Sequence, residues 1–428
     1  MQLNTVSASP AKRDRVFYIL RQIVEYGIAA ILLLQCNTVW MTIASVREQL
    51  WRILPIALTV LVLCGIALTV RRFDLKKLGI GAAVFASMAL YLAILYFVIK
   101  TNKDVYLSFL HIFLLLVLYQ LVCYRGGADG VLMKYRTVLC GVAVFSVVMW
   151  LFCTVFKWIP PSGVEMTSWN DTSFMDTPIQ SWARLYFQAQ PNRNTSIFTE
   201  GPMAALQYSL ALLVDTLIAK KPSPILSGIL AVALLTTMTT TGYLVLLFVA
   251  AVYAWRFILK KGWLKKKEGK LTAITLGALA VVAVIITLIW KLRTASGSIR
   301  FDDMRAGMLA FWDAPIFGNG CNNLPAIQQY MSPWRHHNVG YSSGLLWILS
   351  DGGLWLGVVY VCPMVLAAVR SVRKKQWGIA VFAVCLLAIF LISVFQYSYL
   401  LSFLVIFLLF WRPEKACGQS KDGADPEK

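Results

Sequence analysis

Charged residues are scarce in this chain, and histidine is scarcer still. Of 428 residues, 14% are charged, 59% are hydrophobic and three are histidines. A soluble domain needs charged groups over most of its surface, so this composition excludes an ordinary soluble protein. It indicates instead that lipid is the main solvent.

The nine cysteines form no group. Most stand singly inside apolar runs, and only Cys321 falls clearly in a long polar segment. This pattern predicts neither disulfides nor a zinc site, and the acids of the polar segments show no cluster that would hold magnesium, so we expect no metal and no cofactor. The first apolar stretch carries Arg21 and Glu25 and has no small-residue cleavage site, so no cleavable signal peptide is predicted.

Long apolar runs are the main feature that is present. About 20 such residues cross a hydrocarbon core of roughly 30 Å as a helix, and backbone groups in lipid must pair within the chain. Strand-like alternation is absent, so the sequence predicts an all-α polytopic membrane protein with about twelve spans. We place them at 18–40, 51–70, 78–100, 105–124, 137–157, 202–219, 224–239, 241–259, 271–291, 342–370, 377–394 and 397–412.

Basic residues cluster between the apolar runs. With twelve spans every cluster falls on one side, which the positive-inside rule assigns to the cytoplasm. We therefore expect one integral membrane domain over 1–428, with both termini and the tail at 413–428 in the cytoplasm. The same distribution accounts for the net charge of +20 without a nucleic-acid partner.

A Thr-rich stretch at 236–241 interrupts the apolar run over 224–259. It is either a tight external turn between two spans or a break in one helix that lines a cavity, and threonine can satisfy free backbone groups in both cases. We favour two spans.

Two segments between spans are long, and both are external in this topology. They cover 160–201 and 291–341 and are rich in tryptophan, tyrosine and phenylalanine. Loops of this length are functional or disordered, and the aromatic content favours short interfacial helices on the outer membrane face. The sequence thus predicts a helical bundle capped by two packed loops.

Arginine is frequent in these loops, where the positive-inside rule gives it no topological role. These arginines either form ion pairs with loop acids or bind a phosphorylated, membrane-anchored substrate, since a guanidinium matches phosphate oxygens with two parallel hydrogen bonds. We favour at least one phosphate-binding arginine. The loop arginines are Arg184, Arg193, Arg293, Arg300, Arg305 and Arg335.

Two other loop features could carry chemistry. His336 and His337 precede the span near residue 342, and a neutral imidazole there suits a general base for a sugar hydroxyl. Glu200-Gly201-Pro202 has the pattern of a helix start, whose free N–H groups and dipole favour anions. Ordinary structural roles stay open for both features. Inside spans, His111 is expected either in the core or lining a cavity.

Three motifs follow one another in the second half of the chain. The first is Arg193 with Ile-Phe-Thr-Glu-Gly-Pro at 197–202, and the second is the Thr-rich stretch before Gly242. The third runs from Arg300 through Pro-Ile-Phe-Gly-Asn-Gly at 315–320 and His337-Asn338 to Asp-Gly-Gly at 351–353. In order, spacing and external placement they resemble the O-antigen ligase and polymerase family of bacterial cell-surface polysaccharide enzymes. The resemblance covers about 193–360.

The chain departs from the family pattern at a few positions. Ser196 stands where glycine is common, and Gly201 is inserted before the proline. Thr240 and Thr241 stand where the family often has Ser-Arg, so that arginine has no counterpart here.

The resemblance implies a metal-independent, inverting glycosyl transfer at the outer face of the bacterial cytoplasmic membrane. The donor would be a glycan on undecaprenyl pyrophosphate. His337 would be the base on the acceptor hydroxyl, and Arg300 and Arg193 would bind the leaving pyrophosphate, which needs fixed cations aimed at it. Further substrate-binding candidates are Glu200, Arg305, Arg335, His336 and Arg184. Membrane lipid, a flippase and a chain-length regulator are the other expected partners.

Three other functions are weighed against this one. A ligase, which transfers the finished glycan to another acceptor, differs from a polymerase only in the acceptor, and we favour the polymerase. A transporter of polysaccharide or lipid-linked sugar is disfavoured because charges inside spans are few and the two halves do not match. A non-catalytic receptor or scaffold is the least favoured.

Overall fold

The computed structural model describes residues 10–69, 75–100, 104–124, 126–168, 177–262, 294–335 and 340–413, with a few isolated positions between 263 and 293. Within these ranges, eight helices are long and apolar enough to cross a membrane. They are Arg15–Gln35, Ala44–Thr69, Leu78–Ile99, Asp104–Cys123, Gly130–Val155, Gly201–Ile218, Thr240–Lys260 and Gly344–Arg373. Three shorter apolar helices are Pro224–Thr236, Trp377–Ile392 and Tyr399–Phe410.

The prediction of a mostly α-helical membrane protein is therefore confirmed. Every predicted span inside the described ranges coincides with an apolar helix, whereas the predicted span at 271–291 lies outside them, as does almost all of the tail at 413–428. The number of crossings and the location of the termini stay predictions.

The elements are numbered here in chain order. The helices are α1 (Pro10–Gln35), α2 (Ala44–Thr69), α3 (Leu75–Ile94), α4 (Asp104–Cys123), α5 (Gly130–Met149), α6 (Gly201–Leu213), α7 (Pro224–Thr236), α8 (Thr240–Lys260), α9 (Ala295–Asp313), α10 (Leu324–Gln328), α11 (Gly344–Arg373), α12 (Trp377–Ile392) and α13 (Tyr399–Phe410). π-Helical turns Leu95–Ile99, Trp150–Val155 and Val214–Ile218 extend α3, α5 and α6, and short 3-10 turns lie at Val39–Met41 and Pro333–Arg335. The strands are β1 (Gly163–Thr167), β2 (Thr177–Trp182) and β3 (Tyr186–Gln188).

The core of the bundle lies around α4, α6 and α13. Almost every residue of α6 and α13 is buried, and both helices are apolar on all sides, which is typical of a helix in the middle of a bundle. In contrast, α8 buries only Gly242 and Val249, so most of its surface is open to the lipid expected around the bundle. His111 is exposed on α4, so of its two expected positions the core is wrong and the lining of a cavity stays a prediction.

The first long loop differs from its prediction. Its described part forms a three-stranded antiparallel sheet in the order β1-β2-β3, and not the expected interfacial helices. Ala183 and Arg184 turn the chain between β2 and β3 with φ of 50° and 57°. Trp182, Tyr186 and Phe187 of this sheet are buried. Aromatic content in the sequence does not distinguish such buried strand residues from a helix at the membrane interface.

The second long loop is helical, as expected. It contains α9, the short helix α10 and the 3-10 turn Pro333–Arg335. The side chain of Thr294 accepts a hydrogen bond from the Gly297 N–H, and this cap begins α9.

The Thr-rich stretch separates two antiparallel helices. Thr237 ends α7, Met238 has a φ of 51°, and the Thr239 side chain caps α8 by accepting from the Gly242 N–H. Ser227 near the start of α7 lies 3.0 Å from the Tyr253 hydroxyl in the second half of α8, as it must if the chain reverses between them. This arrangement favours two separate segments over one interrupted helix.

A buried ionic cluster joins α5, α6 and α7. Asp215, fully buried in the π-helical turn after α6, lies 2.5 Å from the Arg136 guanidinium and accepts a hydrogen bond from the Ser227 hydroxyl at 2.6 Å. A buried carboxylate needs such partners. Asp215 is therefore a structural residue in this fold.

Candidate active site

The segment before α6 is fixed on three sides. The Asn194 side chain accepts from the Ser146 hydroxyl at 2.7 Å and donates to the Thr236 hydroxyl at 2.9 Å. The Val39 N–H donates to the Ile197 carbonyl at 2.9 Å. Contacts with α5, α7 and the α1–α2 turn thus fix the point at which α6 begins.

Ser196 has a left-handed backbone within this segment. Its φ is 56°, and non-glycine residues adopt this region at a cost. The position at which the family that the motifs resemble commonly has glycine is therefore one where this backbone favours glycine.

Residues 200 and 201 lie at the start of α6, and loop residues surround them. Glu200 is the residue before the first turn, and its side chain makes no capping bond. A Cβ on Gly201 would lie 3.1 Å from the Thr237 carbonyl, 3.3 Å from the Gln190 side-chain oxygen and 3.5 Å from Arg193 Cδ. Glycine at this position lets Arg193 and Gln190 approach the helix start.

Arg193 reaches this helix start from the first loop. Its guanidinium donates a hydrogen bond to Gln190 Oε1 at 3.1 Å, and the residue is half-buried. Of its donors, only Nη1 has a hydrogen-bond partner within the described part of the chain, so the other nitrogens are left for an incoming ligand.

Arg300 reaches the same place from the second loop. It lies on α9, donates to the Ile392 carbonyl at the end of α12 at 2.7 Å, and is half-buried. Burial lowers the pKa of its guanidinium, and the nearby carboxylates of Glu200 and Asp303 oppose that effect. Glu200 of the first loop is therefore within electrostatic range of Arg300 of the second.

Arg335 has buried partners and lies on the other side of Asp303. Its guanidinium donates to Asp303 at 2.6 Å, to Asp302 at 3.4 Å and to the Gly340 carbonyl at 2.7 Å. Only 2% of the residue is exposed. Its role in this structure is to hold the chain after α10 against α9, since a guanidinium bound in this way presents little to an external phosphate.

The two aspartates of this cluster differ in their surroundings. Burial would raise the pKa of Asp302, but hydrogen bonds from Ser332 and the charge of Arg335 outweigh it and hold that pKa below its ordinary value. Asp303 is buried more deeply, and burial raises its pKa despite Ser342 and Arg335. Neither aspartate is placed as a free acid.

The other candidate arginines lie at the surface. Arg305 is exposed on α9, 3.6 Å from Asp302, beside a cleft of about 570 Å³ that Phe301 and Trp334 also line. Arg184 lies on the β2–β3 turn and pairs with Glu165 at 2.6 Å. No contact in the described residues brings Arg184 to Arg193 or Arg300.

The histidine pair lies outside the described residues. His336 and His337 belong to the stretch 336–339, and Arg293 also falls outside. Arg335 and Gly340, which flank the stretch, are described. The Arg335 guanidinium donates to the Gly340 carbonyl and to Asp303, which lies on α9 one turn from Arg300. The role of His337 stays a prediction.

Two parts of the third sequence motif, 315–320 and 351–353, contact each other directly. Gly318 and Gly353 have φ of 75° and 56°, and a Cβ on Gly318 would overlap the Asp351 carbonyl. The Leu354 N–H donates to the Pro315 carbonyl at 2.7 Å. The Pro-Ile-Phe-Gly-Asn-Gly turn thus packs into a break in α11, and the motif glycines are required by that close packing.

Asp351 secures this joint from the inside. Its fully buried carboxylate accepts from the Asn322 N–H at 2.7 Å, the Asn323 N–H at 3.2 Å and the Tyr397 hydroxyl at 2.6 Å. Sequence reasoning quoted Asp351 in a motif but assigned it no role, and it missed Gln190 altogether. No local pattern distinguishes either residue from an ordinary polar side chain.

Within the described ranges, no three His, Cys, Asp or Glu side chains lie close enough together to hold a metal ion. The chain matches no protein-family model and no characterised protein closely enough to establish a relationship. The resemblance to O-antigen ligases and polymerases rests on the motifs and on where their residues lie.

Proposed function

We propose that the protein is a membrane glycosyltransferase that polymerises lipid-linked oligosaccharide repeats. The donor is a glycan on undecaprenyl pyrophosphate, and the reaction takes place at the outer face of the bacterial cytoplasmic membrane. One observation carries the proposal: Arg193 lies at the start of α6 beside Gly201, and Arg300, from the other loop, lies near enough for the charge of Glu200 to act on it.

This arrangement suits a pyrophosphate leaving group. Two guanidinium groups from opposite sides match the oxygens of the departing anion, and the N-terminus of α6 adds N–H groups and the positive end of its dipole. The carboxylate of Glu200 acts electrostatically on Arg300, and their charges attract.

The reaction forms one glycosidic bond and breaks one bond to phosphate. The acceptor hydroxyl attacks the anomeric carbon from the face opposite the pyrophosphate, which departs with the electron pair of the broken C–O bond. The hydroxyl proton passes to a general base, for which the resemblance implies His337. Attack from the opposite face inverts the anomeric configuration.

Two backbone features support the resemblance independently of the charges. Ser196 has the left-handed φ that a glycine in the family motif would adopt freely. The Gly318 turn and the Gly353 break, two parts of the third motif that lie about 35 residues apart, pack against each other. A chance match of short motifs has no reason to produce either feature.

The test uses full-length protein in liposomes with a lipid-linked repeat as sole substrate. Arg300→Lys and Arg193→Lys are expected to lower turnover about 100-fold, because a point charge lacks the planar fork. Arg184→Lys, which changes an exposed arginine paired with Glu165, is the matched control and should retain wild-type turnover.

The products decide between the two acceptors. A ladder of longer lipid-linked chains supports the polymerase, and transfer only after a different acceptor is added identifies a ligase. Wild-type protein that forms no glycosidic bond with either acceptor would overturn the proposal. The flippase that delivers the donor and a chain-length regulator are the expected partners in the cell.

A further inference from the structure

A cleft of about 640 Å³ opens between the end of α5 and the sheet of the first loop. Its volume lies within the range of roughly 300–1,000 Å³ typical of ligand pockets. The floor comes from Cys153 and Thr154, and one wall comes from β2 and β3. None of the roles given so far to the described residues depends on this cleft.

The sheet has two chemically different faces because side chains alternate along a strand. Ile179 and Phe187 point to one face and pack against Val39 and Ile43 of the α1–α2 turn. The other face carries Gln180, whose neighbours Pro178 and Trp182 also line the cleft. The first face therefore anchors the sheet to the α1–α2 turn. The second packs against Met149 and Trp150 at the end of α5 through Trp182 and Tyr186, while Gln180 borders the open space.

The cleft wall is built from side-chain amides. Gln180 and Gln188 lie directly opposite each other on β2 and β3, and Gln190 and Asn192 continue the wall. Within the described part of the chain, the amides of Gln180 and Gln188 make no hydrogen bond. An amide both donates and accepts, as does the hydroxyl of a sugar ring.

Charge and rigidity of the lining agree with such a ligand. Lys157 lines the cleft, and no carboxylate is among the described residues that line it. The Trp182 indole is fixed by a hydrogen bond from its N–H to the Ile159 carbonyl at 2.9 Å. The cleft therefore offers fixed polar contacts to a neutral or anionic hydroxylated ligand.

Gln190 connects the cleft to the arginine site. It lines the cleft, and its side-chain oxygen accepts the hydrogen bond from Arg193. The same oxygen lies beside Gly201 at the start of α6. A ligand whose phosphate end binds at Arg193 would therefore reach the cleft with the groups attached to that phosphate.

We propose that this cleft binds sugar residues of the glycan chain, with Gln180 and Gln188 as hydrogen-bonding partners of the sugar hydroxyls. The inference rests on the proposed function, because the sugars are those linked to the pyrophosphate held by Arg193 and Arg300. It adds a sugar-binding site at β2 and β3 of the first loop, which lie before the first of the sequence motifs.

Binding to full-length protein in nanodiscs tests the proposal with two probes. One is the free repeat oligosaccharide released by mild acid from the surface glycan of the producing strain, and the other is farnesyl pyrophosphate, which carries no sugar. The double variant Gln180→Ala/Gln188→Ala is expected to bind the oligosaccharide about tenfold more weakly, because two hydrogen bonds are lost. Its affinity for farnesyl pyrophosphate should not change.

The control is Gln329→Ala, which alters an exposed glutamine of the second loop outside the cleft and should match wild type. If the double variant fails to fold, the single variant Gln180→Ala, at an exposed position, carries the same expectation in weaker form. Unchanged oligosaccharide affinity in a folded variant overturns the cleft assignment, and so does wild-type protein that binds farnesyl pyrophosphate but not the oligosaccharide. Wild-type protein that binds neither probe overturns the proposed function as well.

Discussion

Arg300 lies on α9 and Arg335 contacts α9 from outside, yet their surroundings give the two arginines different roles. Arg335 donates to two buried carboxylates and a carbonyl, whereas Arg300 has one carbonyl partner and lies close to Glu200. Asp303 lies between the two arginines. The cluster therefore separates a structural cation from one that is available to a ligand.

Arg335→Met is expected to destabilise the protein by about 3–5 kcal/mol, because it leaves Asp302 and Asp303 buried without their cation. Thermal unfolding of the purified protein in detergent measures this. Adding Asp303→Asn to the same variant should recover part of the loss, since it removes one uncompensated charge. A variant that unfolds at the wild-type temperature but has lost turnover would instead make Arg335 a substrate ligand.

His337→Ala is expected to abolish product formation while the amount of protein in the membrane stays normal. The reason is chemical, because the acceptor hydroxyl loses the base that takes its proton. His111→Ala, at an exposed position on α4, is the matched control and should be fully active. Wild-type turnover in His337→Ala would remove the base assignment and leave the fold unaffected.

At the level of elements, the break in α11 determines how the second loop sits on the bundle. Gly353 has a φ of 56° and a ψ of −151° inside the helix. The backbone groups freed there bind Pro315 and Ile316 of the turn after α9. Close backbone packing at this joint fixes α9, and through α9 it fixes Arg300.

Gly318→Ala is expected to lower the unfolding temperature and the yield of folded protein. A Cβ there would overlap the Asp351 carbonyl, and a φ of 75° adds about 1–2 kcal/mol of backbone cost for alanine. Gly228→Ala in α7 is the matched control, because a Cβ at that glycine meets nothing within 4 Å. Equal unfolding temperatures for the two variants would contradict the account of the joint.

The elements of the first loop were the hardest to predict from sequence. Its strands contain three to six residues each, too short for alternation to be distinguished from a polar loop. Ile179 and Phe187 are buried only because the α1–α2 turn, far away in the sequence, packs over them. The helices of the bundle were predicted well because each carries its own apolar signal over about 20 residues.

At the scale of the whole molecule, the proposed reaction requires both long loops to lie on the outer side of the membrane. Leu185 of the first loop and Gln329 of the second are exposed, as is Lys374 between α11 and α12. In a background without reactive cysteines, Leu185→Cys and Gln329→Cys are expected to react with an impermeant maleimide from outside intact cells. Lys374→Cys should react only after the membrane is opened, because the topology places it in the cytoplasm.

Labelling of Leu185→Cys or Gln329→Cys only in opened cells would contradict the topology and, with it, the proposed donor side. Labelling of the two positions from opposite sides would contradict a site shared by the two loops, in which Glu200 acts electrostatically on Arg300. In either case the helical bundle itself would be unaffected.

The sequence by itself determined that the chain is a helical membrane protein, because a span must supply its own apolar length and its own backbone hydrogen bonds. It also determined which residues could bind phosphate, since that depends on side-chain chemistry. Only the tertiary structure decided which of them share a site. Arg193, Glu200 and Arg300 come together, and Arg335 is taken up by Asp303, because the packing of residues distant in sequence sets distances that no local pattern contains.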